Sequence, residues 1–498
     1  MTSTSPKPNP LLQRLQQSDT NPLRVGVGPH RSQRDLLLAL VNSPITPENV
    51  AEVPLARRLD VVSEYRNIFV PTAQTLEIAS AMQDMLYEGL DRRDPRVQAN
   101  RQHIARSAAQ KGKKLAEVPW FPTDDATALG MLIEGITGTG KSKVVNRVLD
   151  LYPQVVDLGP SEECGWAHLR QLVWLRVHMP SDGSRGGFLI GAFVELDKAL
   201  GTRYLDQYKS WTIEKLLVMF LHLLTVHRCG ILIIEEAQAK ALSSIAPYGR
   251  EFLTFFLRLL NFGIPTVLIG NPLAFVALRE STQDMSRFSE SGSFRLEPVM
   301  DHRSKDWQLW MKRLWAPTLL DQADAPYQPY SDHPLDATLE GFVWRRTAGF
   351  PRFVSRLRRE AQAYALTNGA PQITADIVDR VYQSSAKFAE IRPFIEAFVN
   401  KNGLALNGYG DVPAADYRKM WESQHTAELR AASPASTSAP PAATLPDAPP
   451  ARNARAAKAK AAPKTSRASA AAFAPEDIRS KEFREELSKK LKEAVGKE

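Results

Sequence analysis

The sequence has almost no cysteine: Cys164 and Cys229 are the only two in 498 residues. So few, so far apart, exclude a disulfide framework and a cysteine-rich zinc site, and suit small buried or neutral positions in a reducing cytoplasm. Long apolar runs are missing as well. No eighteen uninterrupted apolar residues offer a membrane span, and residues 1–10 are polar and proline-bearing, unlike a secretory signal. A third lack is local: between Pro449 and Pro475 there is no acid beside six basic residues. Those six supply most of the formal net charge of +8, so the rest of the chain is nearly neutral. A basic tail of this kind suits an acidic partner such as nucleic acid, or serves only solubility.

A chain of this length exceeds one core, and its pattern changes along the way. Residues 1–55, rich in Ser, Pro and Asn, read as a weakly ordered arm. Residues 56–120 read as an N-terminal helical module, because Leu76, Ile78, Met82, Met85 and Leu86 recur mostly three and four apart. Over 121–300 short apolar runs alternate with longer helical stretches, which predicts an α/β domain with a largely parallel sheet. Residues 301–395 hold helix patterns without strand runs, with Trp307 and Trp310 as core candidates and Thr374 as an N-cap. Residues 396–475 read as a linker, disordered and basic in its second half. Residues 476–498 read as an amphipathic helix with Phe483, Leu487, Leu491 and Val495 every four residues.

The strongest motif opens the α/β region. Gly135, Ile136, Thr137, Gly138, Thr139, Gly140, Lys141 and Ser142 fit G-x-x-x-x-G-K-[ST] at each defined position. A strand-like run precedes them, and Val144, Val145, Val148 and Leu149 supply one face of a helix behind. Glycines let successive N–H groups turn toward phosphate oxygens at a helix N-terminus that favours anions. Lys141 then neutralises the β- and γ-phosphates of ATP, and the Ser142 hydroxyl ligates Mg²⁺. Farther along, four aliphatic residues, Ile231 to Ile234, deliver Glu235 and Glu236 to the end of a buried strand. Glu235 suits the magnesium-bound water and Glu236 the general base. The usual pattern has Asp where Glu235 stands, so slow hydrolysis is expected. Another run, Thr266 to Gly270, brings Asn271 to the same edge, where its amide can orient the lytic water or serve a turn. A further strand between the loop and the acidic pair, Gln171 to Val177, marks the AAA+ and related group of P-loop NTPases rather than the simpler P-loop kinases.

With these residues in view, the chain resembles the TnsC/TniB group of AAA+ ATPases, the target-selection regulators of DNA transposons. The resemblance spans roughly residues 57–382 and includes Pro180 to Gly187, Leu200 to Tyr204, Gln283 to Phe288 and Gly349 to Arg352. It implies an AAA+ core with a parallel sheet, a helical N-terminal module and a C-terminal helical lid. It implies Arg287 as the arginine finger, with Arg295 as competitor, and Arg352 as sensor 2. It further implies a homo-oligomer, ring or filament, whose assembly depends on ATP and which contacts the backbone of duplex DNA. Arg185, Lys198 and Arg203 are the candidates for that contact, and solvated surface charge is the competing reading of each. The expected partners are a transposase, reached through the C-terminal tail, and a target-selector protein, with no membrane. Two other readings stay open: another DNA-associated AAA+ protein such as a helicase loader or initiator, and a nucleotide-gated scaffold without significant turnover.

Overall fold

The computed structural model describes residues 16–114, 129–180, 183–237, 256–257, 259–279 and 282–432. By its internal contacts the chain divides into two units, Met1–Arg418 and Lys419–Glu498. The first carries everything that follows, except the latter part of the last helix.

Where the composition predicts a weakly ordered arm, three short helices are formed: α1 (Pro22–Val25), α2 (Gln33–Leu40) and α3 (Pro47–Ala51). Each is started by a side chain that accepts from its first turn, Asn21, Ser32 and Thr46 respectively. Leu23, Leu36 and Leu40 are then buried in the same core cluster as the P-loop strand. Burial of those few large side chains, rather than a periodic stripe, orders the segment. A 3₁₀ stretch, Leu55–Arg66, and the helices α4 (Ala73–Arg92) and α5 (Gln98–Ala109) follow, and the predicted apolar positions of α4 are all buried. At the end of α4, Arg93 donates to the carbonyls of Gly89, Cys229 and Gly230.

The core then runs β1 (Gly130–Gly135), α6 (Lys141–Leu149), β2 (Val155–Leu158), β3 (Leu169–Leu172) and β4 (Trp174–His178). Next come α7 (Arg185–Leu200), α8 (Tyr204–Tyr208), α9 (Ile213–Val226), β5 (Ile231–Ala237), β6 (Thr266–Gly270), α10 (Thr282–Phe288) and β7 (Ser293–Leu296). The main sheet has the order β4-β5-β6-β1-β7 and every pairing in it is parallel. The single strand expected over Gln171 to Val177 is divided. Its first part belongs to β3, which pairs antiparallel with β2 in a separate ribbon, and its second part is β4 at the sheet edge. β6 lies between the P-loop strand and the acidic strand β5, the non-adjacent arrangement expected of the AAA+ group. Both faces of the sheet are covered, which is why its central strands are aliphatic on both sides.

After the core come α11 (Lys305–Trp310), α12 (Leu339–Arg345), α13 (Pro351–Thr367) and α14 (Ala375–Ser384), with no strand. These form the lid. Trp307 and Trp310 are buried in it, as the helical spacing predicts. Asp336 lies at its centre and accepts from Ser331, Arg345 and Arg346, while Arg346 also reaches Asp379 on α14. The 3₁₀ stretch packs on α13: Tyr65 donates to the Pro317 carbonyl and accepts, through its own carbonyl, from Ser355. Where composition suggests a linker from residue 396 onward, the chain is ordered. α15 (Arg392–Val399) buries Phe394, Ile395 and Phe398, and the chain continues through buried Leu406 and Val412 into α16 (Ala414–Ala432). The aromatic ring contacts Phe394–Tyr409 and Phe398–Tyr417, both with centroids 5.0 Å apart, hold this segment. Residues 433–498, with the basic stretch and the amphipathic helix, lie outside the described residues.

Candidate nucleotide site

The loop between β1 and α6 has the backbone a phosphate cradle needs. Gly138 and Gly140 both take a left-handed φ, 98° and 97°, which side chains rarely adopt. Gly140 caps α6, so the helix begins at Lys141 and its free N–H groups face the loop. The Lys141 ammonium donates to the carbonyls of Gly135 at 2.7 Å and Ile136 at 3.1 Å. Burial pushes its pKa down to about 8, and the carboxylates of Asp411 and Glu235 pull the other way. Ser142 lies beside it on the wall of a cavity of about 1040 Å³.

The lid closes that cavity from the other side. Gly349 has φ 72°, and a Cβ there would lie 1.9 Å from the Val299 carbonyl oxygen, so only glycine makes this turn. Pro351 then starts α13, and the Arg352 amide donates to the Gly138 carbonyl at 3.4 Å. Arg352, Arg356 and Arg359, spaced along one face of α13, all line the cavity, and so does Lys143. Only Arg352 stands out in the sequence. The other two become visible once the helix register relative to the loop is known. Asn271, at the end of β6, lines the same cavity; its side-chain oxygen accepts from the Leu273 amide and its amide donates to the Asp411 carbonyl.

Glu235 is only 1 % exposed and is not part of the cavity wall. One carboxylate oxygen pairs with Arg176 Nε at 2.9 Å, with His178 at 3.6 Å; the other, Oε1, has no hydrogen-bond partner among the described residues. Arg176 also donates to Asn146 on α6, so it ties the acidic strand to the helix behind the loop. The sequence signal for Arg176 is a charge set between Leu175 and Val177 in a strand that pairs with β5. An orphaned buried carboxylate oxygen fits a Mg²⁺-bound water, and Mg²⁺ commonly relies on one or two protein groups plus the nucleotide's phosphates. Ser142 and Glu235 would hold it, and it would neutralise charge on the β- and γ-phosphates. The Glu236 side chain lies outside the described residues.

The remaining arginines are dispersed. The Arg287 backbone lies against Gly130, at the opposite end of β1 from the phosphate loop. Arg295, in contrast, is level with Glu134 at the loop end and is held by Glu297 and Asp416. Arg185 opens α7, Lys198 lies in its last turn beside Glu195, and Arg203 follows it. At 1.5 Å per residue the first two are about 20 Å apart, so they do not form one patch.

Residues 125–277 match a family model described as an AAA domain. The core is an AAA domain with the AAA+ P-loop fold. No curated protein matches the chain. Among solved structures, the similarity reaches Drosophila ORC bound to DNA, at 14% identity and TM-score 0.31, over 70% of this chain and 82% of that one. It also reaches the Aeropyrum pernix ORC2 protein in its ADPNP-ADP complexes, at 12% identity and TM-score 0.35, over 66% and 94%. Scores of this size give no basis for transferring what those proteins bind. No helix among the described residues is long and apolar enough to cross a membrane.

Proposed function

We propose that this chain is an ATP-hydrolysing transposition regulator that assembles on duplex DNA, signals a chosen target to a transposase, and works in the cytoplasm. The observation that carries the enzymatic half is the meeting of loop, sensor and lid at one cavity: Lys141 and Ser142 at the start of α6, Asn271 after β6 and Arg352 on α13 line it together. Binding, general-base hydrolysis by Glu236 and stabilisation of transferred charge are then distributed as in other phosphoryl-transfer sites. The transposition half rests on the TnsC/TniB-like segments, among them the lead-in to α7. Arg287, whose backbone lies at the end of β1 remote from its own loop, suits a neighbour's nucleotide in a ring or filament better than Arg295, which two carboxylates engage. Residues 476–498, with the apolar stripe read from the sequence, are the proposed contact to the transposase, and a target selector completes the set of partners.

A second reading, a nucleotide-gated scaffold without turnover, is favoured by one observation: Arg176 already occupies one oxygen of Glu235. Phosphate release and electron microscopy on duplex DNA with ATP separate the two. Lys141→Ala should lose nucleotide and DNA-bound assembly together. Glu236→Gln should keep both and lower turnover by about 10²- to 10⁴-fold, the range for a lost general base. Wild-type assemblies without phosphate release would establish the scaffold, and an absence of ATP-dependent assemblies on DNA would end the regulator reading.

A further inference from the structure

Three groups at the phosphate site, on Lys141, Asn271 and Thr137, are engaged within the chain itself. Lys141 is turned back onto the carbonyls of Gly135 and Ile136. Asn271 donates its amide to the backbone carbonyl of Asp411. The Thr137 hydroxyl, at the crown of the phosphate loop, donates to the Asp411 carboxylate at 2.7 Å. One residue thus meets the loop with its side chain and the sensor with its backbone.

Asp411 reaches this place because of how residues 405–416 are held. Leu406 and Val412 are buried on either side of it, Tyr409 packs on Phe394, and Tyr417 donates to Glu297. Gly410 lines both the nucleotide cavity and a second cavity of about 780 Å³, which is bounded by Glu134, Arg279 and Arg295. Residues 409–411 are therefore a partition between two spaces, held at both ends by buried anchors. Its tip carries a negative charge into a cavity whose other charged lining groups are Arg66, Lys141, Lys143, Arg352, Arg356 and Arg359. A carboxylate there attracts the same cations that a triphosphate needs, and it repels the triphosphate.

We propose that Asp411 is the chain's own occupant of the phosphate site, and that residues 408–413 form a latch that withdraws when ATP binds. This rests on the ATPase reading and adds a regulatory step to it. The latch competes with nucleotide for Thr137, Asn271 and the basic lining, so resting affinity for ATP is reduced by the fraction of molecules in which it is closed. The chain continues from the latch into α16 and on to the C-terminal residues proposed to meet the transposase. Tension on that segment is then a means of opening the site from outside.

The test uses the full chain and a non-hydrolysable ATP analogue. Asp411→Asn, nearly isosteric, and Asp411→Ala should both bind the analogue about tenfold more tightly than wild type, the gain expected if the latch is closed in roughly nine molecules in ten. In the wild-type protein, saturating analogue should speed backbone hydrogen exchange across residues 405–413. Equal or weaker affinity in both variants, or unchanged or slower exchange on binding, would overturn the latch; weaker affinity with slower exchange would make Asp411 a ligand of the bound state. If wild type and both variants all fail to bind nucleotide, the ATPase reading falls and the latch with it. If all three bind equally, only the latch falls.

Discussion

Asp336 in the lid and Glu235 in the sheet are both carboxylates cut off from water, 0 % and 1 % exposed, yet they are treated in opposite ways. Asp336 has each oxygen filled: Arg346 donates to one at 3.1 Å, and Arg345 and Ser331 donate to the other at 2.7 and 2.6 Å. Glu235 has one oxygen filled by Arg176 and the other left without a partner. An unfilled lone pair in a low-dielectric interior is costly, so a fold that only needed stability would have satisfied it. The completed carboxylate holds helices together, whereas the incomplete one keeps an oxygen open, as the magnesium-bound water proposed for it requires.

The largest effect expected from this contrast is on stability. Asp336→Ala strands Arg346, itself 5 % exposed, and should lower unfolding free energy by about 3–5 kcal/mol in denaturant titration. A loss below about 1 kcal/mol would mean that Arg346 finds Asp379 sufficient and that the completed network is redundant. Next comes turnover. Glu235→Gln should cost stability by less than about 1.5 kcal/mol, because Arg176 is partly open to solvent, but should slow phosphate release about a hundredfold, or about 2.7 kcal/mol of barrier. Undiminished turnover would place the unfilled oxygen outside the reaction and collapse the contrast.

The smallest effect concerns pH. Burial raises the affinity of Asp336 for its proton, but the Ser331 hydroxyl and the charges of Arg346 and Arg345 outweigh it and hold the carboxyl below the usual aspartate value. A depressed folded-state pKa stabilises above the unfolded value, near about 3.9, and that stabilisation is lost as pH falls through the folded one. Unfolding free energy measured downward from about pH 4 should therefore fall more steeply for wild type than for Asp336→Asn. Parallel acid limbs would remove Asp336 from the account.

The same contrast explains how much could be read in advance. The phosphate loop, β5, β6 and the parallel α/β class were legible because each is encoded in one short window: glycines at fixed spacing, or an aliphatic run ending in polar residues. The lid was legible from helical periodicity, and its tryptophans are core. The three helices over residues 22–51 were not, since each is too short for a stripe; the first two are fixed by one or two leucines inserted into a distant core, and the third buries only Val50. The division between β3 and β4 was not, because a single apolar run does not say that its halves join different sheets. The order between residues 396 and 418 depends on aromatic contacts with α15, which no composition window contains. Arg176 and Asp411 act on residues far away in sequence, Asp411 across an interval of 274 positions from Thr137. Their roles exist only after the chain has closed on itself.

Arg93, the residue that ends α4, grips the carbonyls of Cys229 and Gly230, the two residues immediately ahead of β5. A guanidinium with donors in a rigid fork behaves there as a rivet between the N-terminal helix and the root of the acidic strand. Helix and strand can then shift only as one body, and Glu235 travels at the far end of that strand. A displacement of the N-terminal helix would therefore be felt at Glu235 without any contact to the nucleotide cavity.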